Sequence, residues 1–168
     1  MEIYDSLLGA VCDEYDRVTL IKKSERGEVT LIRHRASGNR YIFRHFSGSS
    51  EVYRKLLTVS CPNLPQIMEV GEKEGKTALL EEYVQGDTLG EILQGGLLTA
   101  AQAKQITRQL CMALWVLHSL GVVHRDVKPD NVIIRGTEAV LIDFDASRIH
   151  IPQGRNHLCD GRLAASGR

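Results

Sequence analysis

From Arg17 to Phe46 apolar and polar residues alternate in three bursts, RVTLIKK, GEVTLIRHR and RYIFRHF, parted by SERG and ASGN. Alternation with a period of two marks strands that bury one face, and the short turns between them predict an antiparallel meander. SSEVYRKLLTVS then shifts to helical spacing, with Val52, Leu56 and Leu57 on one face and Ser49 or Ser50 as N-cap. Pro62 and Pro65 end that helix. QIMEVGEKEGKTALLEEYV predicts two further strands around a turn at Gly75. The first half therefore reads as a five-stranded sheet with one helix inserted after the third strand.

At QGDTLGEILQGG the pattern turns helical. A long helix is predicted from Thr99, its N-cap, to Leu120, with Ile106, Leu110, Ala113, Leu114, Leu117 and Leu120 on its apolar side and Gly121 closing it. Next comes GVVHRDVKPDNVIIRGTEAVLIDFDASR, in which short apolar runs carry Asp126, Lys128, Asn131 and Asp143. The remainder, HIPQGRNHLCDGRLAASGR, has no periodicity and reads as loop.

Composition narrows the classes of partner. The 168 residues suffice for one domain, or for two small lobes sharing a seam. Equal numbers of acidic and basic residues give zero formal charge, so no basic field recommends nucleic acid or an anionic membrane. No apolar run approaches the ~20 residues of a bilayer span, and MEIYDSLLGAVCDEYDR does not have the form of a signal peptide. Cys12, Cys61, Cys111 and Cys159 are scattered without metal-site spacing, as reduced thiols of a cytoplasmic protein would be.

The polar cluster suits one chemistry in particular. Phosphoryl transfer needs a carboxylate to accept the proton of the attacking hydroxyl, a cation for developing charge, and hard oxygen ligands for Mg²⁺. Asp126, Lys128, Asn131 and Asp143 supply such a set, and the strand-like runs Val132 to Ile134 and Val140 to Ile142 would hold it on a rigid hairpin.

HRDVKPDN resembles the catalytic loop of the protein kinase family, and LIDFD resembles its metal-binding DFG segment with the glycine replaced by Asp145. Lysine two places after the aspartate is similar to the serine/threonine branch, and the chain is identified as a member of the bacterial type. The resemblance implies an α+β fold with a five-stranded N-lobe bearing one helix and an abbreviated, mainly helical C-lobe. Residues 1–84 would form the N-lobe and hinge, 85–148 the start of the C-lobe, and 149–168 an activation-segment stub. It further implies Asp126 and Lys128 as catalytic residues, Asn131 and Asp143 as Mg²⁺ ligands, ATP as cosubstrate and a protein hydroxyl as acceptor. His124 and Arg125 would be structural.

Several positions depart from the family pattern. Arg44 stands where the third strand carries its phosphate-binding lysine, with Glu51 of the following helix as the expected partner ion. Of the glycine loop only Gly27 and Val29 remain, and Lys22 or Lys23 would add charge there. Glu82, Tyr83 and Val84 would present backbone groups to adenine, and Glu81 falls at the gatekeeper position unless the register slips by one. Asp87 suits either the ribose hydroxyls or a helix N-cap. Asp145 removes a flexible glycine. The tail contains no A-P-E motif. A minimal kinase, a truncated product, a nucleotide-binding pseudokinase and, less favoured, a small-molecule kinase all fit this pattern. With later helices absent, the second side of the long helix would be exposed and would call for a partner or self-association.

Overall fold

The computed structural model of the protein describes residues 2–150. Of the expected tail, 149–168, residues 151–168, with Cys159 and His157, lie outside the described residues. The meander forms as the alternation predicts: β1 (Tyr15–Ser24), β2 (Gly27–His34) and β3 (Arg40–Ser47) are antiparallel neighbours. Helix α2 (Glu51–Leu56) follows, then β4 (Ile67–Lys73) and β5 (Lys76–Glu82), and the five strands lie in the order β1-β2-β3-β5-β4. Helix α2 is shorter than its apolar spacing suggests. Neither serine caps it in the usual way, for the Ser50 hydroxyl and N–H are both spent on Glu72 of β4.

An element not apparent from the sequence pattern precedes the sheet. Helix α1 (Ile3–Glu14) lays Tyr4, Leu7 and Val11 on the outer sheet face, among Ile32, Phe43, Ala78 and Leu80. Gly71 of β4 permits this close approach, because a Cβ there would overlap the backbone of Tyr4. The opposite sheet face joins α2 to the second lobe through Val52, Tyr53, Leu56, Val70 and Leu79. Strand β5 thus sends alternate residues to two different cores, Leu79 to one and Ala78 and Leu80 to the other.

The second lobe begins with β6 (Asp87–Thr88), α3 (Leu89–Gly95) and α4 (Ala100–Ser119). Both helices open with a capping box, Thr88 with Glu91 and Thr99 with Gln102, so the α3 cap is Thr88 and not Asp87. Gly121 leaves α4 with φ +71° in the left-handed region, as a closing glycine does. Short strand β7 (Val122–Val123) leads to the loop that carries Asp126, then a 3-10 turn at Pro129–Asn131. β8 (Val132–Arg135) and β9 (Glu138–Leu141) form the expected hairpin, and β10 (Arg148–Ile149) returns to pair with β7. Helix α4 buries Ala113 and Leu117, while Met112 and Trp115 are 51% and 67% exposed on its far side. Among the described residues no helix is long and apolar enough to cross a membrane.

If α1 is an integral layer, Leu7→Ala, which empties a site 2% exposed, lowers the unfolding free energy by about 2–4 kcal/mol. Ile3→Ala on the solvent side of the same helix changes it by less than about 0.5 kcal/mol. Urea denaturation of the two variants checks the contrast.

Candidate active site

Two groups of side chains meet between the lobes. The lower group sits on the loop after β7. Asp126 Oδ2 accepts from Lys128 Nζ at 2.9 Å and from Asn131 Nδ2 at 2.9 Å, and Asn131 also donates to the Asp126 carbonyl. These bonds explain the spacing: with the 3-10 turn between them, residues five apart fold back onto one carboxylate. The bond from Lys128 is the main cause that lowers the Asp126 pKa, and Asp126 in turn raises that of Lys128. The aspartate is therefore ionised and aimed. Asn131 is anchored from below, since the N–H of Ile142 donates to its carbonyl at 2.9 Å.

His124 forms the floor of this loop. It is 1% exposed, its Nε2 faces the Ile142 carbonyl at 3.1 Å, and its Nδ1 accepts from the Asp126 N–H at 3.3 Å. Its ring packs edge-on against Phe144, with centroids 5.4 Å apart. Arg125 and Asp143 both take positive φ, +70° and +66°, in the left-handed region that residues with a side chain seldom adopt.

The upper group hangs from the sheet. Arg44 of β3 is 5% exposed and donates through Nε to Glu81 Oε2 of β5 at 2.9 Å. The register makes this contact available: Arg44 lies opposite Leu79 and Ile42 opposite Glu81, so Arg44 and Glu81 are diagonal neighbours on one face. The other end of the guanidinium reaches Asp145 at 3.2 Å and Asp143 at 3.5 Å. Burial by itself would lower the Arg44 pKa, but the carboxylates of Glu81, Asp145 and Asp143 outweigh it and hold the group cationic. Burial pushes Glu81 up, and Arg44 pulls against that shift. Lys22 of β1 closes the arrangement from above, at 2.8 Å from Asp145 and 3.7 Å from Asp143.

The structure corrects several sequence expectations. Glu51 is exposed at the start of α2 and is not the ion that Arg44 meets; Glu81 is. Glu81, expected at the gatekeeper position, lies inside, 2% exposed, next to last in β5. Gly27 remains glycine for a packing reason, because a Cβ there would overlap β3 at His45 and Phe46. Glu82 is engaged on both sides. Its N–H donates to the Gln66 carbonyl at 2.8 Å, and its carboxylate accepts from the Gln66 N–H at 3.0 Å and from Arg135 of β8 at 2.6 Å. Val84 is buried, whereas Asp87 is exposed and paired with Ile134 across β6 and β8. Beyond the Arg44–Glu81 pair, two further ties were not foreseen, Arg135 on Glu82 and the buried Tyr53 hydroxyl 3.4 Å from Asp145. Gly27, Val29, Arg44 and Glu51 line one cavity of about 640 Å³ between β2, α2 and the segment after Asp143. That cavity lies on the α2 side of the cleft, away from Glu82, Val84 and Asp87.

The protein kinase domain family matches residues 17–162. The chain belongs to the protein kinase family. Helix α1 precedes the matched region, and the match runs past Arg148. Serine/threonine-protein kinase pkn2 of Myxococcus xanthus is 35% identical over 103 residues, which cover 59% of this chain and 12% of that protein. Serine/threonine-protein kinase D of Synechocystis is 38% identical over 85 residues, 49% of this chain and 16% of that protein. Testis-specific serine/threonine-protein kinase 3 of mouse is 31% identical over 140 residues, 82% of this chain and 51% of that protein. The chain thus spans about half or less of the length of these relatives. A crystal structure of Rad53 in complex with AMP-PNP superposes with TM-score 0.68 at 22% identity, over 80% of this chain and 39% of that one, which shows the shared fold.

The neutral, buried His124 gives the kinase fold a pH signature. Burial is the main cause that lowers its pKa, against the Ile142 carbonyl and the carboxylates of Asp143 and Asp126. Below about pH 6.5 the unfolded chain therefore takes a proton that the folded chain resists, and stability falls as the pH drops. Urea unfolding between about pH 7.5 and pH 5.5 should show a shallower loss for His124→Asn than for the wild type. An equal slope would contradict the neutral assignment.

Proposed function

We propose that this chain carries out Mg-ATP-dependent phosphoryl transfer to a serine or threonine hydroxyl of a protein. The observation that carries the reading is the convergence on one carboxylate: Asp126, held by Lys128 and Asn131 at 2.9 Å each, on the loop next to Asp143. The donor set suits Mg²⁺ and a nucleotide triphosphate. Asp143 and Asn131 offer hard oxygens, and among the described residues no cluster of three or more acidic, His or Cys side chains forms a metal site by itself. Mg²⁺ is commonly held in this manner, by few protein ligands together with phosphates and water. When bound, Mg-ATP supplies the phosphoryl group and neutralises charge along its phosphates.

The roles of the chain's own residues follow from their positions. Asp126, ionised and oriented, accepts the proton of the hydroxyl as it attacks, and Lys128 places a cation beside the acceptor. Arg44 presents guanidinium N–H groups to the phosphate region, while its other end stays bound to Glu81. Backbone groups of Glu82 to Val84 face adenine, and Asp87 lies exposed on the ribose side of the hinge. The serine/threonine relatives and the Lys128 position favour a protein acceptor over a small hydroxyl compound. With no membrane-crossing helix among the described residues and free thiols at Cys12, Cys61 and Cys111, we place the protein in the cytoplasm.

A second reading, a nucleotide-binding protein with little turnover, is favoured by one feature. Asp143 and Asp145 are already engaged by Arg44 and Lys22, so a metal ion must compete for Asp143. Two variants separate the readings. Asp126→Asn should keep Mg-ATP affinity yet lower phosphorylation of a serine/threonine substrate by about 10²–10⁴-fold. Asp143→Ala should abolish Mg-dependent nucleotide binding. Turnover that survives Asp143→Ala would sink the metal role, and wild-type binding without turnover would favour the second reading.

A further inference from the structure

Glu81 is a carboxylate that directly follows the apolar run 78–80 of β5 and is almost wholly enclosed. A buried, unpaired carboxylate is strongly unfavourable, so its partner must be fixed with it. That partner is Arg44, and the contact uses only one edge of the guanidinium. The opposite edge is directed at Asp143 and Asp145, where the proposed phosphates and metal ion would sit. Meanwhile the helix following β3 is only six residues long, and its one acidic residue, Glu51, is exposed. Glu51 and Arg44 both border the cavity of about 640 Å³, without an ion pair between them.

We propose that Glu81 is the positioning residue of the nucleotide site: it holds Arg44 toward the phosphates from within the sheet, so the site's cation is set independently of helix α2. This inference rests on the nucleotide reading above. β3 and β5 are hydrogen-bonded neighbours over seven residue pairs, from Tyr41↔Glu82 to Ser47↔Lys76, so the carboxylate and guanidinium are fixed by one rigid element. A carboxylate on α2 would instead move with that helix. Displacement of α2, whose Tyr53 touches Asp145, would leave the Arg44–Glu81 pair itself intact, and the cavity beside α2 can change shape without breaking it. Arginine suits the arrangement because its planar fork can serve a carboxylate on one edge and phosphate oxygens on the other, which a lysine ammonium cannot do with the same geometry.

The test compares Mg-ATP with adenosine, which lacks phosphates, by calorimetric titration of the full chain. A phosphate-positioning role predicts that Glu81→Gln weakens Mg-ATP by about tenfold or more and leaves adenosine within about twofold. Glu51→Gln should leave both ligands within about twofold of wild type. Should Glu81→Gln not fold by circular dichroism, Glu81→Asp serves in its place. It keeps the charge, retracts the carboxylate by one methylene, and is expected to lower Mg-ATP affinity selectively by about threefold or more. Equal losses for ATP and adenosine would assign Glu81 a merely structural part and overturn the inference. So would unchanged ATP affinity, or a loss in Glu51→Gln as large as in the Glu81 variant. A wild-type chain that binds neither ligand would remove the nucleotide reading and this inference together.

Discussion

The cleft depends on a charge that cannot be left alone. Arg44 is almost fully enclosed, and removing a guanidinium from water is tolerable only where carboxylates and hydrogen bonds replace the lost hydration. Glu81 meets it from the neighbouring strand, and Asp143 and Asp145 meet it from the other lobe. The first contact ties β3 to β5; the other two tie the sheet to the segment after β9. A single side chain therefore joins N-lobe geometry to the position of the proposed metal ligand.

The rest of the interlobe seam is built around that joint. Asp145, where the family pattern has glycine, accepts from Lys22 of β1 as well as from Arg44. The β1–β2 hairpin is thus held by a side-chain ion pair spanning 123 positions, where glycine-rich loops rely on backbone amides approaching phosphate. This contact is partly exposed, so salt screens it more than it screens the buried Arg44–Glu81 pair. In the proposed reading, a metal ion at Asp143 would compete with Lys22 and Arg44, the two cations available to phosphate.

Much of this was legible from residue order. The strands of the meander, the long helix from Thr99 and the hairpin around Gly136 follow from periodicity and turn chemistry, although β1 forms with residues 17–24 exposed and owes its place to pairing with β2. Asp126, Lys128, Asn131 and Asp143 stood out as polar groups amid apolar runs, and folding brings Lys128 and Asn131 onto the Asp126 carboxylate. Helix α1 was less readable: Tyr4, Leu7 and Val11 do recur at helical spacing, yet only the sheet's outer face gives them a place to be buried. Glu81 was the plainest missed signal. Glu81, the buried one of two carboxylates in TALLEE, and Arg44 within YIFRHF are complementary charges on neighbouring strands, and antiparallel pairing brings them together. Helical position instead suggested Glu51, since spacing along the sequence says little about how far a short helix stands from the sheet.

Whether the Arg44–Glu81 pair organises the cleft is most directly measured by a double-mutant cycle on folding stability. Arg44→Met, Glu81→Leu and the combined variant would be unfolded in urea alongside the wild type. Each single change strands a buried charge and should cost about 3–5 kcal/mol, while the combined change removes both charges and should cost far less than the sum. A coupling energy of about 2 kcal/mol or more is the expected result. Additive losses would mean that the two side chains do not act as a pair, and would contradict the account.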